Sequence, residues 1–256
     1  MSTSRRILIT GAGSGLGRGL SLCLAKEGHT IIATDANLAG ARETAAEVAA
    51  AGGKAEAHAL DVTSKEDIQR LLSALAPARI DVLINNAGLQ HVARVVDYPI
   101  AKWDQLMDVM LRGTFLMTQD VLPVMRAQGF GRLIHIGSIH SLVASPGKSA
   151  YTAAKHALLG FSKAVALECG DVDITSNTIC PAYIRTPLVD AQIRDQAKLR
   201  HLSEEEVVDR VMLEPMPKKA FITFEEIAAL CSYLISPAAR NVTAQAIAID
   251  GGWTAQ

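Results

Sequence analysis

Aromatic side chains are scarce in this sequence, with two Trp, four Tyr and five Phe in 256 residues. Its core must therefore rest on aliphatic and alanine packing, which an apolar content of 49% supplies. An excess of either charge is equally lacking, because 25 Lys and Arg against 26 Asp and Glu leave a formal −1. No basic run marks a nucleic-acid or membrane surface, so neither partner is expected. Cysteine is confined to Cys23, Cys169, Cys180 and Cys231, without CxxC or Cys/His ligand spacing. That argues against a disulfide framework or metal site and predicts reduced core thiols in a cytoplasmic protein. No apolar run approaches the roughly 20 residues of a membrane span. The opening MSTSRR meets a strand without a signal-type apolar region. The expectation is one intracellular domain, 1–256, able to bury roughly three quarters of its unfolded surface.

What is present is alternation. Short β-branched runs at 7–10, 30–34, 55–60, 81–86, 132–137, 174–180 and 246–250 read as strands. Alanine- and leucine-rich helices lie between them, at Leu16–Glu27, Leu38–Ala51, Trp103–Gln128, Ala150–Glu168 and Phe224–Ile235. Strands apolar on both faces, separated by helices, imply a parallel sheet covered on both sides. The fold expected is α/β, a doubly wound Rossmann-type domain with a seven-stranded parallel sheet. Capping boxes at Ser203/Glu206 and Thr223/Glu226 predict two late helix starts. The polar, Pro-punctuated stretch 187–220 interrupts the rhythm and reads as a lid over the carboxyl ends of the strands, or as a plain insertion with two short helices.

The first turn, Thr10-Gly11-Ala12-Gly13-Ser14-Gly15-Leu16-Gly17, follows a strand and opens a helix. It misses GxGxxG, since Leu16 stands where the third glycine belongs, but fits TGxxxGxG. Glycines there let a pyrophosphate approach the backbone and meet free N–H groups at a helix N-terminus. A bare glycine turn is the alternative. Asp35, ending the second strand, can accept both ribose hydroxyls of NAD and would repel the 2′-phosphate of NADP. No positive charge at Ser14 or Ala36 offsets it, so NAD is the expected cofactor. Asp61 and Val62 are expected beside the adenine, with Asp61 alternatively a cap.

Ser138 closes the fifth strand, and Tyr151 and Lys155 stand one helical turn apart on one face. Alcohol oxidation needs a base near neutral pH, whereas free tyrosine has a pKa of about 10. An ammonium beside the phenol would favour its ionised form, and a serine hydroxyl would steady the developing charge on oxygen. A turn serine and a packing tyrosine are the bland alternatives.

TGAGSGLG, Asn85-Asn86-Ala87-Gly88, Ser138 and Tyr151-x-x-x-Lys155 occur in the order and spacing of the short-chain dehydrogenase/reductase family, which the whole chain resembles. The resemblance implies Tyr151 as acid/base, Lys155 as its tuner and ribose ligand, and Ser138 as the group positioning the carbonyl. It places Asn86 and Gly88 beside the adenosine half, Ile184 and Thr186 at the nicotinamide amide, and Pro181 among the cofactor-binding residues. Further stretches, NNAGLQHVA, GSIHSLVASPGKSAYTAAKH, TPLVDAQI and DGGWTAQ, are similar to family members acting on a short 3-hydroxy acid. By that similarity Gln90, His140, Lys148 and Gln192 hold a substrate carboxylate, and the expected reaction interconverts (R)-3-hydroxybutyrate and acetoacetate. One cation, one titratable donor and two amides suit such an acid. Singly, each also reads as an ordinary loop or surface residue. The family is often tetrameric, and the apolar AIAIDGGW ending suits a subunit interface.

Two departures stand out. Met110 occupies the position of an asparagine that orders the family's proton-relay water, which predicts an altered relay. Pro181-Ala182-Tyr183 replaces Pro-Gly followed often by Trp, which reshapes the pocket. Another hydroxy acid or a neutral alcohol or ketone is therefore the second reading, and a catalytically silent NAD-binding scaffold the third.

Overall fold

The computed structural model describes residues 4–255, apart from the side chains of Leu188, Asp195 and Leu199. Residues 1–3 and Gln256, within the quoted MSTSRR and DGGWTAQ, lie outside it. The strands are β1 (Arg6–Thr10), β2 (Thr30–Asp35), β3 (Lys54–Ala59), β4 (Val82–Asn85), β5 (Phe130–Ile136), β6 (Asp173–Pro181) and β7 (Ala246–Ile249). They form one sheet in the order β3-β2-β1-β4-β5-β6-β7, with every pair parallel. The expected seven-stranded parallel sheet is therefore found, with strand ends displaced by at most two residues.

The sheet is sealed on both faces by alternation along each strand. Ile7 and Ile9 point to one layer, with Leu20 and Leu24 of α1 (Gly15–Lys26), Val48 of α2 (Leu38–Ala50) and Ile227 and Leu234 of α9 (Phe224–Ile235). Leu8 points to the other layer, packing with Ile68 and Leu71 of α3 (Lys65–Leu75), Met117 and Val121 of α5 (Gly113–Ala127) and Val165 of α6 (Ser149–Glu168). Ile7, Leu8 and Ile9 are all fully buried, which only a covered sheet allows.

The long central helix differs from its expectation in one respect. It starts as α4 (Ile100–Met107), passes through a wide π-type turn at Asp108–Arg112, and continues as α5. The Thr114 hydroxyl donates to the Met110 carbonyl at 2.8 Å inside this turn. Such turns gather at functional sites.

The stretch after β6 holds α7 (Pro187–Arg200) and α8 (Glu204–Val207), and α8 begins at the Ser203/Glu206 capping box. Thr223/Glu226 opens α9 in the same way. Val189, Ile193, Val207 and Met212 form a small cluster of their own, separate from the two main layers. The excursion leaves and returns at one place, since Ile184 bridges Ile222 and the Ile222 N–H donates to the Tyr183 carbonyl at 2.9 Å.

A polar network crosses the core between β4, β5 and β6. Asn85 Nδ2 approaches His135 Nδ1 at 3.2 Å, His135 Nε2 meets Ser176 Oγ at 3.2 Å, and Ser176 Oγ meets Ser162 Oγ at 2.9 Å. An amide donor on Nδ1 puts the imidazole proton on Nε2. Burial, with the nearby Lys155 charge, lowers the pKa of His135 from 6.5 to about 4. The unfolded chain therefore binds a proton that the folded one refuses between those values, and stability falls as pH drops through that window. Urea unfolding of wild type should lose about 3 kcal/mol from this residue between pH 6.5 and 4. His135→Asn should flatten that part of the curve, and an unchanged slope would show that His135 titrates normally.

Candidate active site

Strand order reverses between β1 and β4, which opens a crevice at the carboxyl ends of the strands. A cavity of about 630 Å³ occupies it. Its floor is the turn after β1, where Gly11 takes φ +65° and a Cβ would lie 2.9 Å from the Ala87 Cα, so the turn packs closely on the chain leaving β4. The turn carbonyls are held by side chains of α2 and α1: Thr44 Oγ1 donates to Ala12 O and Arg18 Nη2 to Gly13 O, each at 2.8 Å. At the other edge, the Gly13 N–H donates to Asp35 Oδ2 at 2.9 Å. Asn86 Nδ2 donates to the Thr10 and Gly11 carbonyls at 2.9 and 3.1 Å, stapling β4 to β1. Ser14, Gly15 and Leu16 carry the open N-terminus of α1 into the cavity wall.

Gly11, Asp35, Asp61, Val62, Asn86, Gly88, Pro181, Ile184 and Thr186 line the same cavity, as expected from their positions. Gly17 does not. A Cβ there would lie 2.2 Å from the Gly11 carbonyl oxygen, so this glycine serves the packing of α1 on the turn. Asp61 is not the cap of α3, which is Ser64; its Oδ1 accepts from the N–H and hydroxyl of Thr63 in the turn before that helix, and the residue borders the cavity. A glycine turn, a helix N-terminus and a carboxylate at the far edge fit a dinucleotide.

At the other end stand Ser138, Tyr151 and Lys155. Lys155 is buried and its Nζ donates to the Ile136 carbonyl at 2.6 Å, tying α6 to the end of β5. The ammonium sits 5.6 Å from the Tyr151 ring centroid. Burial lowers Lys155 from 10.5 to about 8. Burial also pushes the Tyr151 phenol up, with the Ser138 hydroxyl pulling it back down. Burial is thus the largest influence on the phenol, and it favours the protonated form. The physical reason is that desolvation disfavours a charged phenolate. In this form Tyr151 is a proton donor.

Four residues were expected to hold a carboxylate, and all four line the cavity. Lys148 is buried, with burial taking its pKa down to about 8. Among the described residues no carboxylate pairs with it; its Nζ donates to the Tyr183 hydroxyl at 3.4 Å. The buried Gln90 Oε1 has no partner, and Gln192 enters from α7. His140 is placed differently from a free donor. Its Nε2 meets Ser145 Oγ at 2.9 Å, its Nδ1 meets Ser138 Oγ at 3.3 Å, and burial with the Lys148 charge lowers its pKa to about 3. It is a neutral ring engaged on both nitrogens. Sequence reasoning gave Tyr183 no ligand role and overlooked the structural part of Trp253, whose ring packs at 5.8 Å from Tyr183 and 6.2 Å from His140. Met110 is buried behind Gly88, with its carbonyl turned to Thr114.

A family model described as Enoyl-(Acyl carrier protein) reductase matches residues 11–254. With these motifs in this geometry, the chain belongs to the short-chain dehydrogenase/reductase family, oxidoreductases that use a nicotinamide cofactor. It is 40% identical to "D-beta-hydroxybutyrate dehydrogenase" of Rhizobium meliloti (strain 1021), over 99% of this chain and 100% of that one. It is 37% identical to "D-beta-hydroxybutyrate dehydrogenase" of Cupriavidus necator (strain ATCC 17699 / DSM 428 / KCTC 22496 / NCIMB 10442 / H16 / Stanier 337), over 100% of both. Among solved structures it resembles a single-substitution variant of an actinorhodin polyketide ketoreductase with NADPH, at TM-score 0.94 and 32% identity over 99% of both chains. No helix among the described residues is long and apolar enough to cross a membrane.

Since the Ser138 hydroxyl is what lowers Tyr151, Ser138→Ala should move the alkaline limb of the rate profile to higher pH. It should also cut kcat about 100-fold by removing a hydrogen bond to the developing oxyanion. Stopped-flow rates across pH, with cofactor affinity measured in parallel, check this; an unmoved limb with unchanged kcat would remove Ser138 from the reaction.

Proposed function

We propose that the chain interconverts (R)-3-hydroxybutyrate and acetoacetate with NAD, using Tyr151 as acid/base. The observation that carries this reading is Lys148: a buried ammonium with no carboxylate partner among the described residues, in the same cavity as Ser138, Tyr151 and Lys155. An unpaired cation out of water is costly, and a substrate carboxylate relieves that cost. The likeness to two hydroxybutyrate dehydrogenases supports the same substrate.

Lys148 holds the carboxylate and so fixes the reacting carbon relative to Tyr151. Hydride transfer is the chemistry the cofactor supplies when bound. In reduction, the Tyr151 phenol gives its proton to the substrate oxygen while Ser138 donates a hydrogen bond to the same oxygen. In oxidation the proton returns to Tyr151, and the Lys155 ammonium steadies the phenolate. Gln90 and Gln192 complete the acid pocket. The choice of NAD rests on Asp35, whose carboxylate faces the ribose edge and would repel a 2′-phosphate. Action as a homotetramer in the cytoplasm belongs to this reading, with the half-exposed edge strand β7 as the surface for assembly.

Purified protein should form NADH from NAD and (R)-3-hydroxybutyrate, and leave the (S) enantiomer and NADP nearly untouched. Lys148→Ala should raise KM for the acid about 10- to 100-fold. In wild type that KM should climb as pH passes about 8, where free Lys148 loses its proton. Equal activity toward a neutral secondary alcohol would replace the acid reading with the broader one.

A further inference from the structure

Lys148 does not stand alone in the acid pocket. Its Nζ lies 3.4 Å from Tyr183 Oη but 5.3 Å from that ring's centroid, so the ammonium meets the hydroxyl end of the side chain. In this contact the ammonium donates and the phenol oxygen accepts. The phenol's own proton is then directed elsewhere, and among the described residues no acceptor meets it. Tyr183 lines the cavity shared with Ser138 and Tyr151. Its other contacts fix it in place: its backbone is anchored by Ile222, and its ring lies against Trp253. His140, the neighbouring candidate donor, is neutral and committed to Ser138 and Ser145. The spare O–H of the acid pocket therefore belongs to Tyr183.

We infer that Tyr183 is a specificity-determining residue of this pocket, donating its hydroxyl proton to the same substrate carboxylate that Lys148 holds. This rests on the acid-binding reading and deepens it. A carboxylate bridging the pair receives one N–H and one O–H donor from adjacent atoms, the charge-assisted arrangement that is shorter and stronger than a neutral hydrogen bond. Burial keeps the phenol in its protonated, donating form, raising its pKa to about 12. An uncharged ketone finds no use for either donor and leaves the ammonium uncompensated. The pair thus selects a carboxylate over a neutral group of equal size.

The test compares wild type, Tyr183→Phe, Lys148→Met and the double variant, each saturated with NAD, with which no ketone can react. Three ligands are titrated by calorimetry: acetoacetate, malonate as a non-reacting carboxylate, and 2-pentanone as an uncharged ketone. Tyr183→Phe keeps the ring and its packing, so it should weaken both carboxylates about tenfold. It should leave 2-pentanone within twofold and NAD affinity unchanged. The double variant should lose less than the product of the two single losses, because both groups hold one anion. Carboxylate affinity within twofold of wild type in Tyr183→Phe would overturn the inference. So would an equal loss for 2-pentanone, which would mean that the hydroxyl acts through cavity shape. Wild type binding malonate through Tyr183 yet failing to reduce acetoacetate when NADH replaces NAD would end the hydroxybutyrate reading and leave the donor pair standing. Wild type binding neither carboxylate would end both.

Discussion

Two ammonium groups held out of water, with no carboxylate opposite either among the described residues, set the terms for everything around them. Lys148 is the N-cap of α6 and Lys155 stands on its second turn, and both are buried. Each has a neutral oxygen as its partner, the Tyr183 hydroxyl in one case and the Ile136 carbonyl in the other. Burial lowers both to about 8, so both remain charged at neutral pH. The cost of holding them is met by the rigidity of a covered parallel sheet and by whatever anion enters. Their field also explains the neighbours. His140 is kept neutral partly by Lys148, and His135 partly by Lys155. One end of the crevice therefore concentrates positive charge in a chain whose formal charge is only −1.

The opposite end of the cavity is organised by a different rule. There the polar atoms are backbone, and what matters is which way they face. Arg18 and Thr44 take the Gly13 and Ala12 carbonyls, and Asp35 takes the Gly13 N–H. Glu43 and Glu47 in turn hold the Arg18 guanidinium at 2.9 and 3.2 Å. The cation nearest the turn is thus neutralised before it can offset Asp35. The cavity is polarised along its length, with the Asp35 carboxylate toward one end and the Lys148 and Lys155 ammonium groups toward the other.

Much of this was legible in the chain because the relevant signals are local. A strand apolar on both faces, such as Ile7–Leu8–Ile9, announces a covered sheet. A TGxxxGxG turn or a Tyr-x-x-x-Lys pair carries its geometry within one helical turn or less. Gly17 was misjudged because a glycine for a ligand and a glycine for helix packing look alike in a motif. The commitment of His140 to Ser138 and Ser145 depends on how the loop folds back. The meeting of Lys148 with Tyr183 joins residues separated by 35 positions. The balance that leaves Tyr151 protonated depends on the depth of burial, which no spacing encodes. The wide turn around Met110 was hidden for a related reason, because helical periodicity runs through it almost unchanged.

Tyr183 and Ile184 are pinned to Ile222 before the chain departs through α7 and α8. Of the residues implicated in holding an acid, only Gln192 travels with that excursion. Drift in the excursion's sequence can therefore move Gln192 while the Lys148–Tyr183 pair keeps its shape. The two parts of the acid pocket become separately heritable traits, and relatives of similar fold are free to diverge in one without surrendering the other.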